Sequence, residues 1–182
     1  MDKVITIARD NLQKYCFIRD ISGKEVSGAA SFFSYRGRLF ELHNALIHVR
    51  AMGDQTMEQV CDNLRREIVN AMRAGQVICI DCGKIKVNFG GEMALLPWDD
   101  IFNFVRFREE DVYNQIVKPD ERYLIGMQNQ GQFMMREQFS IVVISDAEDE
   151  NYQEVLQGIW PWLGKNFYRF NVTRTANALD QD

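Results

Sequence analysis

At 182 residues, with hydrophobic residues at 46% and charged residues at 26%, the chain has the size and make-up of one globular domain that can bury a core without disulfide or metal staples. Its formal net charge of -5 excludes the dense Lys and Arg footprint that phosphate-backbone binding requires, so nucleic acid is not an expected partner. No apolar run approaches the roughly 20 residues that cross a bilayer, and the opening Met1-Asp2-Lys3-Val4-Ile5-Thr6 has no long apolar core, so a cytosolic chain with no membrane partner is expected.

Residues 1–13 mix charge with a short apolar set and read as an N-terminal helix or arm. Lys14-Tyr15-Cys16-Phe17-Ile18 reads as the first strand, ended by Arg19-Asp20. After the turn at Ser22-Gly23-Lys24, the small apolar stretch from Val26 to Tyr35 suits a helix packed close to a sheet. Gly37 stops it, and Arg38 to His43 reads as a second strand. From Thr56 to Ala74, Met57, Val60, Cys61, Leu64, Ile68, Ala71 and Met72 recur at three- and four-residue steps, which predicts an amphipathic helix. Thr56 with Gln59 supplies a capping box at its start, and Gly75 supplies the stop.

Gln76-Val77-Ile78-Cys79-Ile80-Asp81-Cys82 follows at once: four apolar residues running into a carboxylate, as in a strand buried on both faces of a parallel sheet. Lys84 to Phe89 alternates in character, and Pro97-Trp98-Asp99-Asp100 opens a helix carrying Ile101, Phe102, Phe104 and Val105. Residues 108–138 are polar with turn signals at Pro119, Gly126 and Gly131, and are expected to form a lid-like insertion. Phe139 to Ser145 is a further buried strand; Asp149-Glu150-Asn151 caps a helix with Tyr152, Val155, Leu156 and Ile159 on one face, broken by Pro161. Phe167 to Thr173 reads as a last strand and 174–182 as a loose tail. The expectation is a single α/β domain: a mostly parallel sheet of about five strands, helices on both faces, and an insertion after the third strand.

Three patterns bear on chemistry. Cys79 and Cys82 have C-x-x-C spacing, but within a strand their side chains point to opposite faces, and a thiol redox role would need a stabilised thiolate. A zinc site would need a second ligand pair, and the sequence has none, so Cys16, Cys61, Cys79 and Cys82 read as reduced, core-filling thiols. His43 and His48 are the only histidines, and no serine is set in a nucleophile elbow. Trp160 and Trp162 around Pro161, Phe104 and Phe107 in the 101–107 run, and Met134-Met135 are either core packing or a partner-docking surface.

The order of elements resembles the P-loop NTPase fold, in its AAA+ or dynein-like branch. In that family the first strand runs into a phosphate loop, the third ends in a magnesium-site acid and the fourth in a polar sensor. Gly23 and Lys24 stand where the loop's Gly-Lys falls, Asp81 where the acid falls and Ser145 where the sensor falls. The departures are as informative. Ile18 stands where the loop's first glycine belongs, Glu25 replaces its hydroxyl residue, and Cys82 replaces the water-positioning glutamate after Asp81. The resemblance therefore implies a degenerate scaffold without hydrolysis or a resident cofactor. It would act as a pseudoenzyme that binds a larger protein partner, and the dynein-like flavour suggests a cytoskeletal, axonemal or ciliary assembly. Its alternative is a nucleotide switch or phosphotransferase that binds ATP or GTP with magnesium through Gly23, Lys24, Glu25, Asp81 and Ser145.

Overall fold

A computed structural model describes residues 1–22, 28–36, 38–122, 132–159 and 162–173. Five strands form one sheet in the order β2-β3-β4-β1-β5, all parallel: β1 Tyr15–Ile21, β2 Arg38–Glu41, β3 Val77–Asp81, β4 Ser140–Ser145 and β5 Phe167–Thr173. The long helices are α1 Asp2–Asp10, α2 Gly28–Arg36, α4 Met57–Ala74 and α7 Asp149–Ile159; shorter ones are α3 Leu42–Ile47, α5 Trp98–Ile101, α6 Glu110–Tyr113 and α8 Trp162–Asn166. The α/β class and the long insertion between β3 and β4 are those expected from the alternation of apolar runs.

The strand order explains how the helices divide. From β1 the chain crosses three places to β2 by way of α2, then returns step by step through β3 and β4 and on to β5. Crossovers of one hand that travel in opposite directions must lie on opposite faces. Accordingly, α1 and α2 cover one face, where Ile5, Ala8, Ala29 and Phe33 meet Cys16, Ile18, Cys79, Val142 and Ile144. The second face carries α4, α7, α8 and the insertion over Phe17, Ile78, Ile80, Ile141 and Val143. Ala29 and Ala30 are the reason α2 can approach closely, as the small residues of that stretch implied.

Helix α4 begins and ends where its caps place it. Gln59 N–H donates to Thr56 Oγ1 while Thr56 N–H donates to Gln59 Oε1, and Gly75 closes the helix at φ 67.

Three boundaries differ from expectation. Strand β1 runs on through Arg19 and Asp20 to Ile21, because both charged side chains find partners inside the fold. Strand β2 stops at Glu41, and Leu42 starts α3, which continues as a π-helical turn over His48–Met52. The expected helix after Pro97 is a single turn, followed by a short 3-10 turn at Arg106–Arg108.

The insertion is not a detached lid over its described residues. Val112, Tyr113, Ile116, Val117 and Phe133 are buried in the larger core. Arg65 of α4 pins it: its guanidinium donates to both Glu121 oxygens at 2.6 and 3.0 Å and to the Ile116 carbonyl at 2.8 Å. Phe102 sits at the centre of an aromatic cluster with Phe89, Trp98, Trp162 and Phe167, at centroid distances of 4.8 to 5.4 Å within the cluster.

Candidate functional site

Open parallel sheets bind ligands at the carboxyl ends of their strands, where neighbouring connections leave in opposite directions. Here that place is between β1 and β4, with the end of β3 alongside. Asp81 and Ser145, the expected acid and sensor, are both there. Gly23, Lys24 and Glu25 lie outside the described residues, which resume at α2.

At the end of β1, Asp20 is 4% exposed and its carboxylate faces α2. One oxygen accepts from Ser22 N–H at 3.0 Å, and the other accepts from Ala29 N–H at 2.8 Å, in the first turn of α2. The first amides of a helix lack intrahelical acceptors and carry partial positive charge, so they attract an anion. Asp20 supplies that anion from within the chain. Next to it, on the opposite face, Arg19 donates to the Ala147 carbonyl at 3.0 Å and to Asp149 at 2.6 Å, and lies 4.1 Å from the Tyr152 ring centroid. The end of β1 is thereby latched to the start of α7.

The ends of β3 and β4 converge on Gly83. Its N–H donates to Asp81 Oδ1 at 2.9 Å, and its carbonyl accepts from Ser145 Oγ at 3.0 Å and from Asp146 N–H at 3.1 Å. Ser145 Oγ also accepts from Ala147 N–H at 3.2 Å, and the residue is fully buried. The sensor position is thus a backbone clamp. Gly83 has φ 53 and the His43 ring lies against it, so that an added Cβ would come within 3.1 Å of the imidazole. Both backbone conformation and space favour glycine there.

Asp81 is only 6% exposed. Burial raises its carboxyl above the ordinary range, opposed by the Gly83 N–H and by His43 at 3.9 Å; the nearby Asp146 and Glu41 carboxylates push it up further. The edge is acid-rich, which disfavours an arriving phosphate. Among the described residues no group of three or more His, Cys, Asp and Glu side chains has a metal-holding arrangement.

The C-x-x-C pair is split between the two cores: Cys79 faces α1 and α2, Cys82 faces the larger layer. Both thiols are buried and free, and desolvation pushes each well above its usual range, so neither is poised as a thiolate.

The aromatic docking candidates need correction. Phe104, Phe107 and Trp162 are buried, with Trp162 Nε1 donating to Asp99 at 3.0 Å, so they belong to the core reading and not to a surface patch. They were ambiguous because large aromatics anchor cores and interfaces alike. Trp160 lies outside the described residues. Met135 packs against the larger core, whereas Met134 is 60% exposed. Val105, read from the sequence as an apolar residue of the helix after Pro97, is 57% exposed.

Sequence reasoning also passed over Arg19, Asp20 and Gly83. Asp20-Ile21-Ser22 carried a usable signal, since an aspartate two residues before a small polar one readily turns the chain.

The class that fold and site define is an α/β protein with a five-stranded all-parallel sheet whose carboxyl edge is bonded to itself. Comparison of the chain with protein-family models, with curated proteins and with solved structures found no match. No described helix is long and apolar enough to cross a membrane.

Proposed function

We propose that this chain is a non-catalytic protein-interaction module on a degenerate P-loop NTPase-like scaffold, in which the sheet's carboxyl edge has become structural. The observation that carries this reading is Asp20: its carboxylate already occupies the first-turn amide of α2, the place an incoming phosphate group would have to take. A nucleotide would need to expel a buried, doubly bonded carboxylate and then accept Asp81, Asp146 and Glu41 as neighbours. Ser145 and Asp81 are committed to Gly83, which supports the same reading. Tyr35, Met52, Leu95, Val105 and Met134 are large apolar side chains exposed at the surface, where a larger protein partner would meet them. A cytoskeletal or axonemal assembly is the partner class that the dynein-like resemblance suggests.

Fluorescent ATP or GTP titrated in the presence of magnesium tests the proposal. No saturable binding is expected. Saturation that disappears in Lys24→Ala would favour a working nucleotide switch and overturn it.

A further inference from the structure

Strand β5 is the outermost strand of the sheet, and among the described residues its only strand partner is β1. Proteins usually blunt such an edge by keeping it short, bulging it, or placing proline or inward charge on it. The opposite edge strand, β2, is short, with four residues. Strand β5 does none of this: it has seven residues, no proline or glycine, and Arg169 as its single charge. All seven of its residues keep step with β1 from Tyr15↔Phe167 to Ile21↔Thr173, which, among the described residues, leaves an unbroken line of backbone donors and acceptors on the far side.

We propose that β5 pairs antiparallel with β5 of a second copy, joining two sheets into one of ten strands about a two-fold axis. This goes beyond the interaction role argued above, since the occupant is the chain itself. The side-chain pattern favours it. A two-fold axis perpendicular to the sheet keeps like faces together, and the register that pairs the most residues centres on Phe170. It sets Tyr168 opposite Val172 and Phe167 opposite Thr173 of the second copy. Tyr168, 40% exposed and in contact with Phe170 at a centroid distance of 6.3 Å, would then lie in an aromatic row continuing from one copy into the other.

The same register sets the exposed Arg169 opposite the exposed Asn171 of the other copy, an amide that can accept from a guanidinium, and it does so twice. Centring the pair on Arg169 instead would set the two Arg169 side chains, one from each copy, against each other, so the single charge disfavours that register. An isologous contact of this kind closes at two copies.

Sedimentation equilibrium from micromolar to millimolar protein tests the pairing, with circular dichroism confirming that each variant is folded. The expected result is a monomer–dimer equilibrium. Asn171→Arg, which sets two pairs of like charges face to face, should weaken it roughly tenfold, and Asn171→Asp should tighten it severalfold. Hydrogen exchange at high concentration should slow on alternate β5 amides only. A monomer at every concentration, assembly that continues past two copies, or a dimer indifferent to both Asn171 substitutions would overturn the proposal.

Discussion

The two faces of the sheet are built to different thicknesses. On one, α1 and α2 lay alanine and a few larger side chains over Cys16, Ile18, Cys79, Val142 and Ile144. On the other, α4, α7, α8 and the folded insertion form a deep layer centred on Phe102. Asp20 and Asp81 both belong to the thin face by strand alternation, and both are bonded to backbone amides of this chain. Thinness at that face therefore does not imply an open site. The deep layer carries most of the burial, while the thin layer is fastened at its carboxyl edge by hydrogen bonds.

Chemical denaturation of point variants tests that division. Phe102→Ala removes the ring that touches four others and should cost about 4 kcal/mol, the largest effect expected. Gly158→Ala comes next. An added Cβ would lie 1.8 Å from the Val87 carbonyl oxygen, so α7 must move off the 84–89 segment at a cost of about 3 kcal/mol. On the thin face, Asp20→Ala strips the acceptor from Ser22 and Ala29 and should cost roughly 1–2 kcal/mol. A loss as large as that of Phe102→Ala would mean the thin face is not secondary.

Two smaller effects depend on pH, with opposite signs. Burial alone would raise the Glu121 carboxyl, but the Arg65 bonds and the Lys118 N–H outweigh it and hold the group below its ordinary range. Its contribution is present above the unfolded-state value and is lost as pH falls through the lowered folded value. Glu121→Gln should therefore cost roughly 1 kcal/mol at neutral pH, with the gap from the parent closing in acid. Asp81 runs the other way. Because burial raises it, the ionised form is penalised in the folded state, and that penalty grows as pH climbs from the ordinary carboxylate range through the raised value. Asp81→Asn keeps an acceptor for Gly83 and should change neutral-pH stability by no more than roughly 0.5 kcal/mol, on the stabilising side, with no difference in acid. Substantial destabilisation at neutral pH would show that the charge itself is needed.

Much of the architecture was legible because buried parallel strands advertise themselves. The runs at 77–81 and 140–145 are nearly all apolar, 167–173 has no glycine or proline though it is an exposed edge, and α4 carries both caps. The start of α3 was read as more strand because Arg38 to His43 is too short for periodicity to separate the two. The insertion looked polar and separable, yet Val112, Tyr113, Ile116 and Val117 fall at three- and four-residue steps among polar neighbours and, with the distant Phe133, are buried anchors. At the site, Asp81 and Ser145 were located by strand ends. Asp20 was read as a strand terminator because nothing local indicates that its partner is an amide in the next helix.

The strand order has one more consequence, for assembly during synthesis. Strand β1 is made before both of the strands that flank it, β4 and β5. Until they emerge, Cys16, Phe17 and Ile18 have no flanking strand, and the nascent chain must carry an unpaired apolar segment while β2, β3 and the insertion are made. A ribosome-stalled fragment ending before Ser140 should bind chaperones through that segment, and release from stalling near Thr173 should free it.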